Sequence, residues 1–385
     1  MQRRDFLGLM TGVAYAGLIS KNNGGFAAWE TPTPRQSVPL IYCTDLFHPP
    51  DDPDDHVDLA TLFSLPELDV RAVVLDLGHH QQAKPGDVPL KQMAALTGKQ
   101  VPFAPGLLGP LRYPEDRADN QDAGGYRAIE LILRTLRESD QKVFVFTTGS
   151  VRDVAAAFNR DEALFRAKVG RLYLVIGDSS GAPSEWNTLL DPQAYIRMMS
   201  SDLPVYWCPC FGPGAREALL AGNLKPQQYS TYWKFLQRDV YDGLPRPLQN
   251  FFLYALGRKI RTIEDPIEYL RRVPEEGLKK EIWNAPRNMW TTGALIHASG
   301  RQFYRQGDVW AALDSPLAGV QPSPVFDFVP AKVTIDREMK TTLDVSGATG
   351  KFRVFNPLDL GIYERAMTTA LRRLLAEMPI VKSFT

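Results

Sequence analysis

The strongest constraint on this chain is an alternation of two patterns. Apolar runs at 39–42, 70–77, 101–104, 142–147, 171–176 and 203–208 are separated by helical spacings at 58–65, 90–96, 126–138, 150–158 and 191–199. Strands that read as near-continuous apolar runs are covered on both faces, and parallel strands need a crossover, usually a helix, to join them. The pattern predicts an α/β fold: a mostly parallel central sheet with helices on both faces. From 211 to 304 the chain reads as mainly helical and dense in aromatics, among them Tyr232, Trp233, Phe251 and Phe252. Such density usually packs a core and occasionally walls a pocket for a flat ring. Runs at 326–333 and 341–345 read as short antiparallel strands, and 362–377 as a final amphipathic helix. No domain-sized linker follows residue 36, so 29–385 is expected to form a single domain.

One acidic stretch dominates the first of these units. Asp45 sits just past the first apolar run, and Asp51, Asp52, Asp54, Asp55 and Asp58 follow a His-Pro-Pro turn into an apolar helical pattern. Carboxylates gathered where a strand hands over to a helix repel one another, and water or a divalent cation relieves that repulsion. The plainer reading is a solvated turn whose Asp residues cap the helix.

The first residues read as an export signal. Arg3-Arg4-Asp5-Phe6-Leu7 is a twin-arginine pattern, followed by an apolar stretch from 7 to 19 that is shorter than a membrane span. Residues 1–28 are thus expected to direct periplasmic or extracellular export, with no membrane attachment once removed. Formal net charge is +0 and there is no polybasic run, which gives nucleic acid nothing to recognise. Cys43, Cys208 and Cys210 are too few for a disulfide framework and read as small buried side chains. The five histidines lack a compact ligand spacing, which argues against zinc.

In a parallel sheet, ligands collect at the carboxyl ends of the strands. Here those ends carry Asp45 with the acidic stretch, Gly78-His79-His80, Gly149-Ser150 and Gly177-Asp178-Ser179, with Ser184-Glu185-Trp186-Asn187 next along the chain.

Taken in order, these segments resemble the nucleoside hydrolase family, the inosine–uridine preferring N-ribohydrolases. Asp45 and the pair Asp54-Asp55 match its opening Asp-x-Asp and Asp-Asp, and Gly78-His79 its Gly-Asn. Gly149-Ser-Val-Arg-Asp153 matches its Gly-Pro-Leu-Thr-Asn turn, and Glu185-Trp186-Asn187 with Asp191-Pro192-Gln-Ala194 its Glu-Phe-Asn…Asp-Pro-x-Ala. The likeness covers the N-terminal two-thirds and, loosely, the final helix. It implies a Rossmann-like fold and a calcium-dependent hydrolase of the N-glycosidic bonds of small-molecule nucleosides. Asp45 would be both a metal ligand and the base for the attacking water. Asp55 and the main-chain carbonyl near Arg152 would be further ligands. Asp54, Glu185 and Asn187 would hold sugar hydroxyls, with His79 as a polar contact and Trp290 stacking on the base.

This chain departs from the family at four points. Cys43 stands for the first Asp of Asp-x-Asp, the loop before Asp54 carries extra residues, His79 replaces the Asn of Gly-Asn, and Thr291 stands where a metal-binding Asp belongs. Fewer ligand charges weaken calcium binding, and Asp51, Asp52 and Thr291 are the candidates to compensate. Trp290 cannot protonate a leaving base, which turns attention to His297 for that task. Two other readings stay open: a nucleoside or pentose binder that does not turn over, and a hydrolase of another glycoside. Homo-oligomer formation is equally open.

Overall fold

The computed structural model describes residues 37–50, 53–77, 86–121, 123–182, 185–257, 265–347, 350 and 352–384. Its frame is an eight-stranded sheet. Strands β1 (Val38–Thr44), β2 (Leu68–Leu75), β3 (Phe103–Pro105), β4 (Val143–Thr147), β5 (Val169–Val175) and β6 (Val205–Cys208) come from the alternating part of the chain. The small antiparallel pairs are β7 (Trp233–Leu236) with β8 (Pro286–Met289), β9 (Gln302–Gln306) with β10 (Val309–Leu313), and β12 (Lys332–Ile335) with β13 (Thr341–Asp344). Strands β11 (Phe326–Pro330) and β14 (Arg353–Pro357) join the large sheet, whose order is β11-β14-β6-β5-β4-β1-β2-β3. Every pairing in it is parallel except that of the edge strand β11 with β14. The order β3-β2-β1-β4-β5-β6 is that of a doubly wound, Rossmann-like sheet. Its direction of winding reverses between β1 and β4, and a crevice opens there beyond the strand ends.

The alternation of side chains along β1 and its neighbours explains the layers. Leu40 and Tyr42 face one core with Val73, Leu75, Phe146 and Tyr173, packed under helices Asp54–Phe63, Thr292–Ser299 and Leu360–Ala376. Ile41 and Cys43 face the other with Val74, Val145, Leu172 and Trp207, under helices Ala123–Glu138, Arg152–Arg160 and Pro192–Met199. Both faces are dry, which is why the strands carry no polar alternation. All three cysteines are buried and free.

The structure adds detail to three parts of the sequence-based expectation. The 211–304 segment is not purely helical, since β7, β8 and part of the β9–β10 hairpin fall in it; their aromatic residues fit a pleated surface as well as a helix. The aromatics there pack on each other, with Tyr241 stacked on Phe252 at 4.2 Å. Run 326–333 gives antiparallel strands as expected: β11 pairs with β14 at the edge of the main sheet, and β12 pairs with β13. The parallel strand β14 is absent from the sequence reading because Arg353-Val-Phe-Asn-Pro357 is short and holds only two buried apolar side chains in mid-strand.

Candidate functional site

The site grows from the two strands that flank the winding reversal. Thr44 ends β1 and Thr148 lies one residue past β4, and both hydroxyls donate to the same Asp55 oxygen, at 2.9 and 3.2 Å. Asp55 is the second residue of helix Asp54–Phe63, so helix and sheet meet through this one carboxylate. Asp45 follows Thr44 and adjoins Asp55. Burial, then the charges of Asp55 and Asp76, push the Asp45 carboxyl well above the usual carboxylate range.

Gly149 permits this crowding. A Cβ there would stand 2.5 Å from Asp76 Oδ2 and 3.2 Å from Asp45 Cβ. Asp76, one residue past β2, accepts the Ser150 amide at 2.5 Å, and its other oxygen has no partner among the described residues.

Cys210, two residues past β6, marks where distant segments converge. Its thiol is pushed up by burial, then by Glu185, Asp54, Cys208 and Asp45. The charges of Asp45 and Asp54, both from the acidic stretch, and of Glu185 thus all bear on this one buried sulfur.

Glu185 and Asn187 are both anchored to main-chain groups at the strand ends. The Glu185 carboxylate accepts the amides of Gly177 at 2.8 Å, Asn187 at 2.9 Å and Thr188 at 3.2 Å. It caps the short helix Trp186–Leu190 and ties it to the end of β5. Asn187 donates to the carbonyls of Thr148 at 3.3 Å and Val175 at 3.5 Å, while its buried amide oxygen has no donor among the described residues. An acceptor left open in this way suits a hydroxyl from outside the protein.

Arg152 opens helix Arg152–Arg160, and its side chain is the busiest group at this edge. The guanidinium donates to Asp191 Oδ2 at 3.2 Å and to the carbonyls of Leu77, Leu107 and Leu190 at 3.3, 3.2 and 2.8 Å. It stitches together the segments that follow β2 and β3 and the end of helix Trp186–Leu190. Trp290 packs edge-on against Phe211 at 6.2 Å and tilted against Tyr232 at 5.7 Å, its indole N–H without an acceptor among the described residues. Thr291 is buried beside Asp58. Asp51, Asp52 and His79 lie outside the described residues.

His297 belongs elsewhere. Its Nδ1 meets the Tyr173 hydroxyl at 2.9 Å and its ring packs on Phe328 at 4.4 Å. Tyr206 and Arg171, its other neighbours, stand in the amino-terminal halves of β6 and β5, away from the strand ends that carry Asp45. Burial, then Arg171 and Arg353, lower its pKa to about 3, so it is a neutral core residue and not the acid for a leaving base.

The donor chemistry suits a hard divalent cation: adjoining carboxylates of Asp45 and Asp55, all oxygen, with Asp76 behind them. Among the described residues, no three Asp, Glu, His or Cys side chains close around a single point. The sequence reading passed over Asp76 and Asp58. The available signal was position, one residue past a strand for Asp76 and an acid within an apolar helix face for Asp58.

Comparison with known proteins bears on the family and the fold. A family profile described as inosine-uridine preferring nucleoside hydrolase matches residues 48–252. The pyrimidine-specific ribonucleoside hydrolase RihA of Salmonella paratyphi A is 28% identical over 190 residues, which is 44% of this chain and 59% of that protein. The chain thus spans less than two thirds of the length of this curated relative. The purine-preferring ribonucleoside hydrolase from Gardnerella vaginalis superposes with a TM-score of 0.51 at 14% identity, covering 88% of this chain and 99% of that one. An inosine-guanosine nucleoside hydrolase does so at 0.51 and 16% identity, covering 89% and 99%. Both structural likenesses speak to the fold.

Proposed function

Because this chain belongs to the inosine-uridine preferring nucleoside hydrolase family, we propose that it hydrolyses the N-glycosidic bond of small-molecule ribonucleosides. The observation that carries this is Asp55 hydrogen-bonded between the ends of β1 and β4 with Asp45 beside it, at the strand ends where the winding of the sheet reverses. The pyrimidine preference in the relative's name makes uridine and cytidine the first substrates to try.

Asp45 takes the proton of a water molecule that attacks the anomeric carbon; a C–O bond forms as the C–N bond breaks, and the base leaves with the bonding pair and takes a proton from solvent, to which Asp45 later returns its own. Charge on the sugar becomes oxocarbenium-like along the way, and the surrounding carboxylates stabilise it. Asn187 accepts a ribose hydroxyl through its open amide oxygen, Asp54 holds a second hydroxyl, and Glu185 keeps the Trp186–Leu190 helix in place. Trp290 offers an aromatic surface to the base. Asp45 and Asp55, with the main-chain carbonyl near Arg152, would hold calcium, which when bound makes an attacking water more acidic. The twin-arginine pattern of residues 1–28 supports export of the folded protein to the periplasm or beyond, leaving 29–385 as one catalytic domain.

The test is release of free ribose from a nucleoside panel by purified protein, with calcium and with chelator. Asp45→Asn is expected to abolish turnover. Undiminished turnover in that variant refutes the mechanism, and nucleoside binding without turnover by the unaltered protein refutes the enzymatic reading.

A further inference from the structure

Helix Asp54–Phe63 buries an acid that packing does not explain. Its inward residues Val57, Leu59, Ala60, Leu62 and Phe63 are apolar, yet Asp58 is only 1% exposed among them. Neither Asp58 oxygen has a hydrogen-bond partner among the described residues. A buried carboxylate without donors is costly to keep unless something compensates it.

What faces Asp58 is informative. Asp55 stands three residues earlier and so on the same side of the helix, and its charge bears on Asp58. Thr291, just before helix Thr292–Ser299, sets its hydroxyl beside the carboxylate without a well-formed hydrogen bond to it. The Tyr42 phenol feels both Asp58 and Asp55, which locates Asp58 beside the end of β1. Asp58 thus sits within reach of the Asp55 charge, itself beside Asp45, and a second carboxylate at position 291 would confront it. A small neutral residue there removes that repulsion.

Resting on the cation-assisted reading above, we propose that Asp58 supplies the third negative charge of a divalent-cation site with Asp45 and Asp55, accepting a hydrogen bond from water on the ion. Calcium commonly keeps water among its ligands, and a carboxylate reaching it through water is a known arrangement. This accounts for an acid in an apolar face and for a neutral Thr291, and it does not require three carboxylates to close directly on one point.

The experiment is calcium titration of the full chain by calorimetry, with terbium luminescence as a second probe, on the unaltered protein and on Asp58→Asn, Asp45→Asn and Asp58→Asn/Thr291→Asp. Asp58→Asn is expected to weaken calcium binding about tenfold or more, and adding Thr291→Asp to restore most of the loss. In calcium-free buffer Asp58→Asn and Asp58→Leu are expected to melt higher than the unaltered protein, and to gain less on adding calcium. Unchanged affinity in Asp58→Asn alongside lost binding in Asp45→Asn overturns this inference and leaves the cation-assisted reading standing. Absence of calcium binding by the unaltered protein overturns both. Should the Asn variant fold poorly, the Leu variant decides the matter: calcium raising its melting temperature as much as that of the unaltered protein counts against Asp58.

Discussion

Replacing Arg152 by Met should unbalance the edge of the sheet that carries the site. The guanidinium is 3% exposed and its partner Asp191 is fully buried at 0%. Burial pushes the Asp191 carboxyl up, and Arg152 only partly pulls it back. The attraction within the pair therefore does not cover the loss of hydration, as is common for buried ion pairs. Losing one partner is another matter. Arg152→Met leaves Asp191 charged with only the Leu111 and Ala194 amides, at 2.8 and 3.0 Å, and strips donors from the carbonyls of Leu77, Leu107 and Leu190. The expected cost is about 3–5 kcal/mol in urea unfolding. Asp191→Asn in the same chain removes the stranded charge and keeps the cap on helix Pro192–Met199, so the double variant should recover about 1–3 kcal/mol of that loss. The exposed pair Arg166–Asp202, at 47% and 55% exposure, is the control, and breaking it should cost under about 1 kcal/mol. Strictly additive losses at 152 and 191, or a cost for Arg152→Met no larger than that of the control, would refute the reasoning.

Three other outcomes are expected. His297 is neutral in the folded protein, with a pKa of about 3 against an ordinary 6.5. The unfolded chain therefore binds the extra proton, and this stability, complete above about pH 6.5, is lost as pH falls toward 3 at up to about 1.4 kcal/mol per pH unit. His297→Gln should flatten urea unfolding free energies between pH 7 and 5, where the unaltered chain loses about 2 kcal/mol; an unchanged slope counts against it. Gly149→Ala forces a methyl onto Asp76 and Asp45, and should lower ribose release by about 100-fold through displacement of Asp45 while costing about 1–3 kcal/mol. Glu185→Ala uncaps the Trp186–Leu190 helix and should destabilise by about 1–2 kcal/mol, read by thermal melting with and without ligand.

The sequence carries the sheet well where strand and helix alternate, because β1, β2, β4 and β5 are apolar on both faces and announce themselves. It carries Asp45, Asp54 and Asp55 for a similar reason, since they cluster at one strand end. Asp58 escapes a linear reading: an acid near a helix start looks like a cap, and only the helix beginning at Asp54 turns it inward. For Glu185 the family resemblance implies a sugar contact, and the three amides it accepts become visible only when the Gly177 turn folds over it. The tethers of Arg152 are likewise invisible in sequence, because its partners lie on segments that only the doubly wound topology brings together.

Strand β14 has an implication for how the protein assembles. It supplies the outer partner of β6, with Val354 beside Trp207, from residues nearly 150 positions later in the chain. Until that late segment arrives, β6 presents bare amides and carbonyls next to a large indole, the kind of raw border along which polypeptides stick to one another. A chain cut short before residue 353 should accordingly be lost to precipitation even though every proposed site residue is still present.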